Sequence, residues 1–337
     1  MIVLGIDTSC DDTCASVIDG EQRILSNVVS SQEVHALYGG VVPELASRAH
    51  IRLIAPIVSE ALTRADIDLG QVDGIAVTRG PGLIGSLLVG LSYAKALAYV
   101  ADIPYVAIHH IEGHILSNFV EHHELRCPYL NLVVSGGHTD LIYVRDRGDY
   151  QTIGSTADDA AGEALDKVAK LLGLPYPGGP QIEAQSMEGN RLAFSFPISK
   201  IERYDFSFSG LKTAALYTWE EMDPDRRISS LADVAASFQE AVVDALVEKT
   251  IRAATDLNCS RVAVSGGVAA NLRLREKFTT LAGEQGLETI FPSPVLCTDN
   301  AVMVAAAGHF RLARGERSPF DLEAMAQLPL DSATSDQ

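Results

Sequence analysis

The stretch Ile2-Val3-Leu4-Gly5-Ile6-Asp7-Thr8-Ser9-Cys10-Asp11-Asp12-Thr13-Cys14-Ala15-Ser16-Val17-Ile18 sets an apolar run, a polar loop and a second apolar run in series. Ile2–Ile6 reads as a strand, Asp7–Thr13 as a tight turn and Ala15–Ile18 as an antiparallel return strand. The layout recurs at Tyr129–Val134, Ser135-Gly136-Gly137-His138-Thr139 and Leu141–Val144. Two such hairpins, each opening about half of an α/β chain, predict a duplicated architecture. Between them the pattern predicts a helix over Ile51–Ala65, a strand over Gly74–Thr78, a turn at Gly80-Pro81-Gly82, a helix over 85–100 and a strand over Pro104–Ile108. Beyond the second hairpin come helices over Asp158–Leu172, with Leu165, Val168 and Leu172 on one stripe, and Ala232–Leu257. Arg261–Ser265 is a strand running into the loop Gly266-Gly267-Val268-Ala269-Ala270-Asn271, and Asn300–Arg314 is the last helix.

A chain of 337 residues exceeds what one hydrophobic core usually carries. The expected division is 1–125, completed by a C-terminal helix near 300–325, then 126–299, with a disordered tail over 329–337. Apolar content of 47% with 21% charged residues describes an ordinary globular protein. Nothing reads as a membrane span, and the N-terminal apolar run is too short for a signal peptide and lacks a basic flank. Five cysteines without a C-x-x-C pair suit free thiols in a reducing cytoplasm. Cys10 and Cys14 read as buried small hydrophobes or as metal ligands. A net charge of −18 counts against unaided nucleic-acid binding. The basic runs Asn271–Lys277 and Arg226-Arg227 read as solvated helix faces.

The segment His109-His110-Ile111-Glu112-Gly113-His114 places His110 and His114 four residues apart, on one face of a helix. Two imidazoles there can grip a divalent metal if a third ligand comes from elsewhere. In a zincin protease the general-base Glu directly follows the first His. Ile111 holds that place, and Glu112 lies about 200° around the helix, so a protease is disfavoured. Asp299 precedes the last helix as an N-cap or as the missing carboxylate. Ser135-Gly136-Gly137, Pro177-Gly178-Gly179-Pro180 and Ser265-Gly266-Gly267 are Gly-rich loops whose backbone could approach a phosphate. None fits a Rossmann or P-loop pattern. A hairpin loop in each half plus a later Gly-Gly loop suits a two-domain actin/hexokinase/Hsp70-like (ASKHA) fold. Asp166 is either a solvated carboxylate or a partner for a ribose hydroxyl. Asp11 and Asp12 either orient a substrate amine or satisfy loop N–H groups.

These motifs, with Gly39-Gly40-Val41-Val42-Pro43-Glu44-Leu45-Ala46-Ser47-Arg48, Phe206-Ser207-Phe208-Ser209-Gly210-Leu211-Lys212-Thr213 and Cys297-Thr298-Asp299-Asn300, together resemble the TsaD family, collinearly from Gly5 to about Gly308. The resemblance implies an acyltransferase that moves a threonylcarbamoyl group from threonylcarbamoyl-AMP to N6 of the adenosine 3′ of the anticodon, in tRNAs reading codons that begin with A. It implies His110, His114 and Asp299 as ligands of one divalent metal, Fe²⁺ favoured and Zn²⁺ compatible. It implies Val133, Val134, Ser135, Gly136, Gly137, Asp166, Gly179, Glu183 and Asn271 around the adenylate, with Asp11 and Asp12 as candidate catalytic carboxylates. Val133 and His138 follow the bacterial pattern, where archaeal and eukaryotic relatives carry Tyr and Asn. Asp12 stands where Glu is usual, one methylene shorter. The bacterial pattern implies a TsaB-like paralogue and a TsaE-like ATPase as partners, with Ile51, Leu53, Ile54 and Ile57 as core or contact residues. The rival readings are a small-molecule kinase of the same fold, a metallopeptidase and a non-catalytic nucleotide-binding scaffold.

Overall fold

The computed structural model describes residues 1–199, 201 and 203–330. The first hairpin forms as expected, as β1 (Ile2–Asp7) and β2 (Asp12–Asp19), and continues into β3 (Arg23–Ser31). Next follow α1 (Pro43–Ala65), β4 (Gly74–Gly80), α2 (Ile84–Ala101), β5 (Tyr105–His109) and α3 (His110–Glu121). The second half opens with β6 (Tyr129–Val134), β7 (Thr139–Asp146) and β8 (Asp149–Ser155). It continues through α4 (Ala161–Leu171), α5 (Gly178–Ser186), α6 (Ser209–Glu220), α7 (Pro224–Asp256), β9 (Arg261–Ser265), α8 (Leu272–Glu284) and β10 (Glu288–Ile290). The chain then runs through α9 (Pro294–Cys297) to α10 (Ala301–Ala313).

The duplication is visible strand by strand. One sheet has the order β3-β2-β1-β4-β5 and the other β8-β7-β6-β9-β10. In each, the first strand pairs antiparallel with its hairpin partner (Gly5 with Ser16, Leu132 with Leu141) and parallel with the fourth strand (Leu4 with Ile75, Leu132 with Val264). β1 and β6 are buried along both faces, so they are apolar throughout rather than alternating. α1 and α2 cover one face of the first sheet, and α10 returns from the end of the chain to pack on the other. Gly5 and Gly308 permit that approach: a Cβ on Gly5 would strike the Ala301 carbonyl, and one on Gly308 would strike Ala76.

Several element bounds differ from the sequence reading for local reasons. α1 begins eight residues early, at Pro43, whose fixed φ suits a first turn. α4 begins only at Ala161 because Asp158 is occupied elsewhere, accepting from the Phe208 N–H (2.8 Å) and the Ser209 N–H (3.2 Å) at the start of α6. α7 starts at Pro224, capped by Asp223, which accepts from the Arg226 N–H at 2.9 Å. The Asn271–Lys277 run is not simply a solvated face. Arg273 and Lys277 reach back to α7, where both pair with Glu240 at 2.7 Å. α2 is long and apolar enough to cross a membrane by composition, unlike anything expected from the sequence, but it packs Leu87, Leu91, Ala94 and Ala98 inward.

The segment after α10 crosses the open edge of β5, where the Ser318 N–H donates to the Tyr105 carbonyl and the Ala107 N–H to Ser318 Oγ, both at 2.9 Å. Leu330 is buried; the remainder of the 329–337 tail, from 331, lies outside the described residues.

Helix α3 belongs to the first half by sequence, yet it is buried from His110 to Val120 between α10 and the second sheet. On one side Glu112, fully buried, accepts from Arg311 of α10 at 2.8 Å and from the Tyr150 hydroxyl at 3.2 Å. Removing one partner of a buried ion pair leaves the other charge uncompensated. Arg311→Met is therefore expected to cost about 3–5 kcal/mol in urea unfolding, with much of the loss recovered in Arg311→Met/Glu112→Gln.

Candidate functional site

The strand-to-helix junction at β5–α3 aims the two imidazoles. His109 ends the strand and caps the helix, its Nδ1 accepting from the Ile111 N–H at 3.2 Å, while its Nε2 meets the Leu328 carbonyl at 2.8 Å. The next residue, His110, and His114 one turn later project together, with ring centroids 4.8 Å apart. Asp299 meets both: its Oδ1 lies 3.5 Å from Nε2 of His110 and 3.3 Å from Nε2 of His114. The cap of α10 is Asn300, which accepts from the Met303 N–H at 3.1 Å. The N-cap alternative for Asp299 is thereby removed, because its neighbour does that work.

This trio fits a metal ion. One donor atom from each residue lies within 4.8 Å of the others. Both ring nitrogens of His114 are buried without a hydrogen-bond partner, a costly state that a cation coordinated at Nε2, on the Asp299 side, would partly relieve. Asp7, also buried, stands 3.8 Å from His110 Nδ1 on the side away from Asp299. The field is strongly acidic. Burial alone would push the Asp299 carboxyl up, but His110 and His114 outweigh it and hold it well below the usual carboxylate range. Burial likewise opposes charge on His110, yet Asp299 and Asp7 raise it to about 9. His114 is lowered by burial. His138, whose ring centroid is 6.1 Å from that of His110, is pushed down to about 3 by burial and by the two neighbouring histidines. Cys14 points its thiol at the Asp299 carbonyl, and burial raises both it and Cys10 far above the thiolate range. The cysteines therefore read as hydrophobes.

The Gly-rich loops sort into framing and open positions. Ser135 closes the β6–β7 turn, its N–H donating to the His138 carbonyl (2.8 Å) and its Oγ accepting from the His138 N–H (3.1 Å). A Cβ on Gly136, Gly137, Gly179 or Gly267 would meet nothing within 4 Å, whereas one on Gly162, Gly178 or Gly266 would collide with neighbouring atoms. The first four are open to a ligand; the other three let elements close on one another. Val133 and Val134 are fully buried, so they shape the loop from beneath.

The polar residues expected at the adenylate are tied into this frame. Asp166 is not simply solvated: its Oδ1 accepts from the Gly178 N–H (2.7 Å) and the Gly179 N–H (3.1 Å), fixing the start of α5, and its second oxygen remains available to a ligand hydroxyl. Glu183 accepts from the Leu272 N–H at 2.6 Å, and Asn271 from the Leu274 N–H at 2.9 Å, so both cap α8. Asn271 Nδ2 also donates to Gln239 of α7 at 2.8 Å, and Gln239 in turn to Ser186 at 2.8 Å. Gln239 was not legible in the sequence, since nothing in a long helix pattern marks it. The Asp11 and Asp12 loop faces this region: burial raises both Asp166 and Tyr176 and Asp11 adds to it, and Lys170 reaches the Tyr38 carbonyl from the opposite half (3.4 Å).

The two sheets of equal topology, with a His/His/Asp group and open Gly loops at their strand ends, define a two-domain α/β protein of the actin/hexokinase/Hsp70 type. A crystal structure of full-length HypF has this fold, with a TM-score of 0.60 at 14% identity, over 91% of this chain and 54% of that one. Residues 23–306 match the family TsaD: tRNA N6-adenosine threonylcarbamoyltransferase, and the chain belongs to it. A relative of that name from Syntrophotalea carbinolica is 52% identical over 99% of this chain and 98% of its own. Another, from Caldicellulosiruptor saccharolyticus, is 50% identical over 98% and 99%. The kinase, peptidase and scaffold readings find no support among these relatives.

Asp12 offers a test of the site's electrostatics. Burial, then Asp299, Asp11 and Asp7, push its carboxyl up to about 7, against a hydrogen bond from Ser31. The folded chain thus keeps a proton that the unfolded chain releases near pH 3.9, so the stability Asp12 contributes is full below that pH and lost as pH rises toward 7. In metal-free protein, Asp12→Asn is expected to unfold at higher denaturant than wild type at pH 8, by on the order of 2 kcal/mol after solvent screening, with no gain at pH 3.5.

Proposed function

We propose that this chain catalyses transfer of a threonylcarbamoyl group from threonylcarbamoyl-AMP to N6 of the adenosine 3′ of the anticodon, in tRNAs reading codons that begin with A. The carrying observation is the group of buried His110 and His114 with half-buried Asp299, beside the open Gly136–Gly137 turn in a chain of this family. The donor is a mixed carbamoyl–phosphate anhydride and is already activated. The amine nitrogen bonds to the carbamoyl carbon, the bond from that carbon to the phosphate oxygen breaks, AMP leaves, and the nitrogen loses a proton.

The protein's task is then positioning and charge. The exposed N–H groups of Gly136 and Gly137 suit the phosphate, and Gly179 leaves room for the nucleotide. Asp11 and Asp12 stand on the facing loop to orient the amine, and a carboxyl near neutrality at Asp12 suits the outgoing proton. His110, His114 and Asp299 would hold one divalent metal. A metal there supplies polarisation of the carbonyl or a clamp on phosphate oxygens. The family resemblance favours Fe²⁺, and Zn²⁺ suits the same ligands. Replacing both imidazoles, as His110→Ala/His114→Ala, is expected to lower the melting temperature while leaving the far-UV circular dichroism of a folded chain, and to drop metal content by mass spectrometry to background. Stoichiometric metal in that variant would overturn the ligand assignment.

A charge of −18 leaves little counterion release on meeting tRNA alone, which supports a need for partner proteins in the cytoplasm. A TsaB-like paralogue is favoured by the apolar side chains left exposed on α2, namely Ile84, Leu88, Tyr99 and Val100, with Ile51 of α1. Ile54 is buried and belongs to the core, and Leu53 and Ile57 are half-buried. The reaction is tested with purified protein, tRNA and threonylcarbamoyl-AMP, reading nucleosides by mass spectrometry, with and without the paralogue and a TsaE-like ATPase. Modified adenosine is expected in the full mixture, with the isolated chain at least ~10-fold slower under multiple turnover. No modified adenosine in any mixture would refute the reaction, and equal rates would refute the dependence.

A further inference from the structure

Helix α3 carries a third polar side chain on the face that bears the imidazoles. His110, His114 and Asn118 are spaced by four residues, so they form one stripe. Asn118 is fully buried, and its Nδ2 donates twice: to the Ile115 carbonyl in its own helix (3.0 Å) and to Oδ1 of Asn131 on β6 (2.9 Å). Asn131, also fully buried, donates from Nδ2 to Oγ of Ser265 at the end of β9 (2.9 Å). Ser265 lies opposite Val133 in register and directly precedes Gly266 and Gly267. Three buried side chains thus connect the imidazole helix to the strand ends that carry two of the Gly loops.

Packing does not account for this chain. The surrounding layer is apolar, with Ile111, Ile115, Tyr129, Val133 and Ala263 in one cluster. Aliphatic side chains of similar size would fill it at little or no loss of stability, since buried polar groups gain little net over well-packed apolar ones. Oδ1 of Asn118 has no partner, a cost that filling space would never require. An apolar contact is non-directional and lets a helix slide or rotate, whereas a chain of hydrogen bonds fixes its height and rotation.

We propose that Asn118 and Asn131 are positioning residues: their chain to Ser265 sets the imidazole helix against the Gly loop after β9, so that the metal-holding and nucleotide-holding parts act as one unit. The inference rests on the reading of those two parts under Proposed function. It predicts that occupancy of one part is felt at the other, by a route that breaks when the chain is cut.

The test is metal retention by the purified full-length protein against graded EDTA, read by mass spectrometry, without AMP and with AMP at saturation for each variant. In wild type, AMP is expected to raise the EDTA concentration for half-loss of metal at least ~5-fold, within the usual range of coupling between sites. In Asn118→Leu/Asn131→Leu and in Ser265→Ala, metal retention without AMP and AMP affinity of the metal-stripped protein by equilibrium dialysis are expected to stay within about two-fold of wild type, while the AMP effect falls to about one-fold. A merely structural role would lower the melting temperature and leave the AMP effect intact. If the double variant does not fold, Ser265→Ala, which removes one acceptor only, decides. An undiminished AMP effect in a folded variant overturns the inference, as does a wild type that binds metal and AMP without coupling. A wild type that holds no metal, or does not bind AMP, overturns the reading of the site itself and the inference with it.

Discussion

Helix α3 is buried from His110 to Val120, and two sets of polar groups grip it from different sides. Glu112 is held by Arg311 and Tyr150, while the stripe His110–His114–Asn118 looks toward Asp299, the second sheet and its loops. A twelve-residue helix alone in water would be marginal. Here burial stabilises it, and the ionic and amide contacts fix its rotation, which decides where the imidazole nitrogens point. Because α3 leaves a strand of the first sheet and packs on the second, the relation between the two halves and the geometry of the site are set together.

The side chains that face His110 are acidic. Asp7 and Asp299 face His110 directly, and Asp11 and Asp12 act on the same pocket from the hairpin loop. Burial raises the Asp7 carboxyl and holds Asp12 near neutrality, and a proton on His110 offsets the charge of Asp299. The same acidity explains why an anionic nucleotide is better met by backbone N–H groups at open glycines than by side chains. Asp166, Glu183 and Asn271 illustrate that division: each places backbone at the loops through its own hydrogen bonds.

The remaining structure serves to bring loops from distant parts of the chain to one place. Gly162 lets the start of α4 touch the Ser135 turn, Gly266 takes a positive φ beneath Val134, and Asn300 caps α10 so that Asp299 can turn inward. Each is a local requirement whose benefit appears only at the site. The strap over the β5 edge belongs to the same logic, since it covers an exposed strand and ends at His109, next to the first imidazole.

The sequence by itself determined the two hairpins, the parallel strands beside them, the imidazole pair on one helical face and the glycine turns. All of these are local: alternation, helical period and turn chemistry act within a dozen residues, and the family motifs are strings of neighbours. The half-exposed edge strands β3 and β8 and the helices α5 and α6 carry weaker patterns, because their apolar faces are narrow or interrupted by capping residues. Only the tertiary structure decided whether Asp299 caps a helix or faces the histidines, that Asp166 holds the start of α5, and that Asn118, Asn131 and Ser265 join. Those outcomes turn on single hydrogen bonds between residues tens to hundreds of positions apart. Such a bond has a direction and one partner, and neither is written in the residues on either side of it.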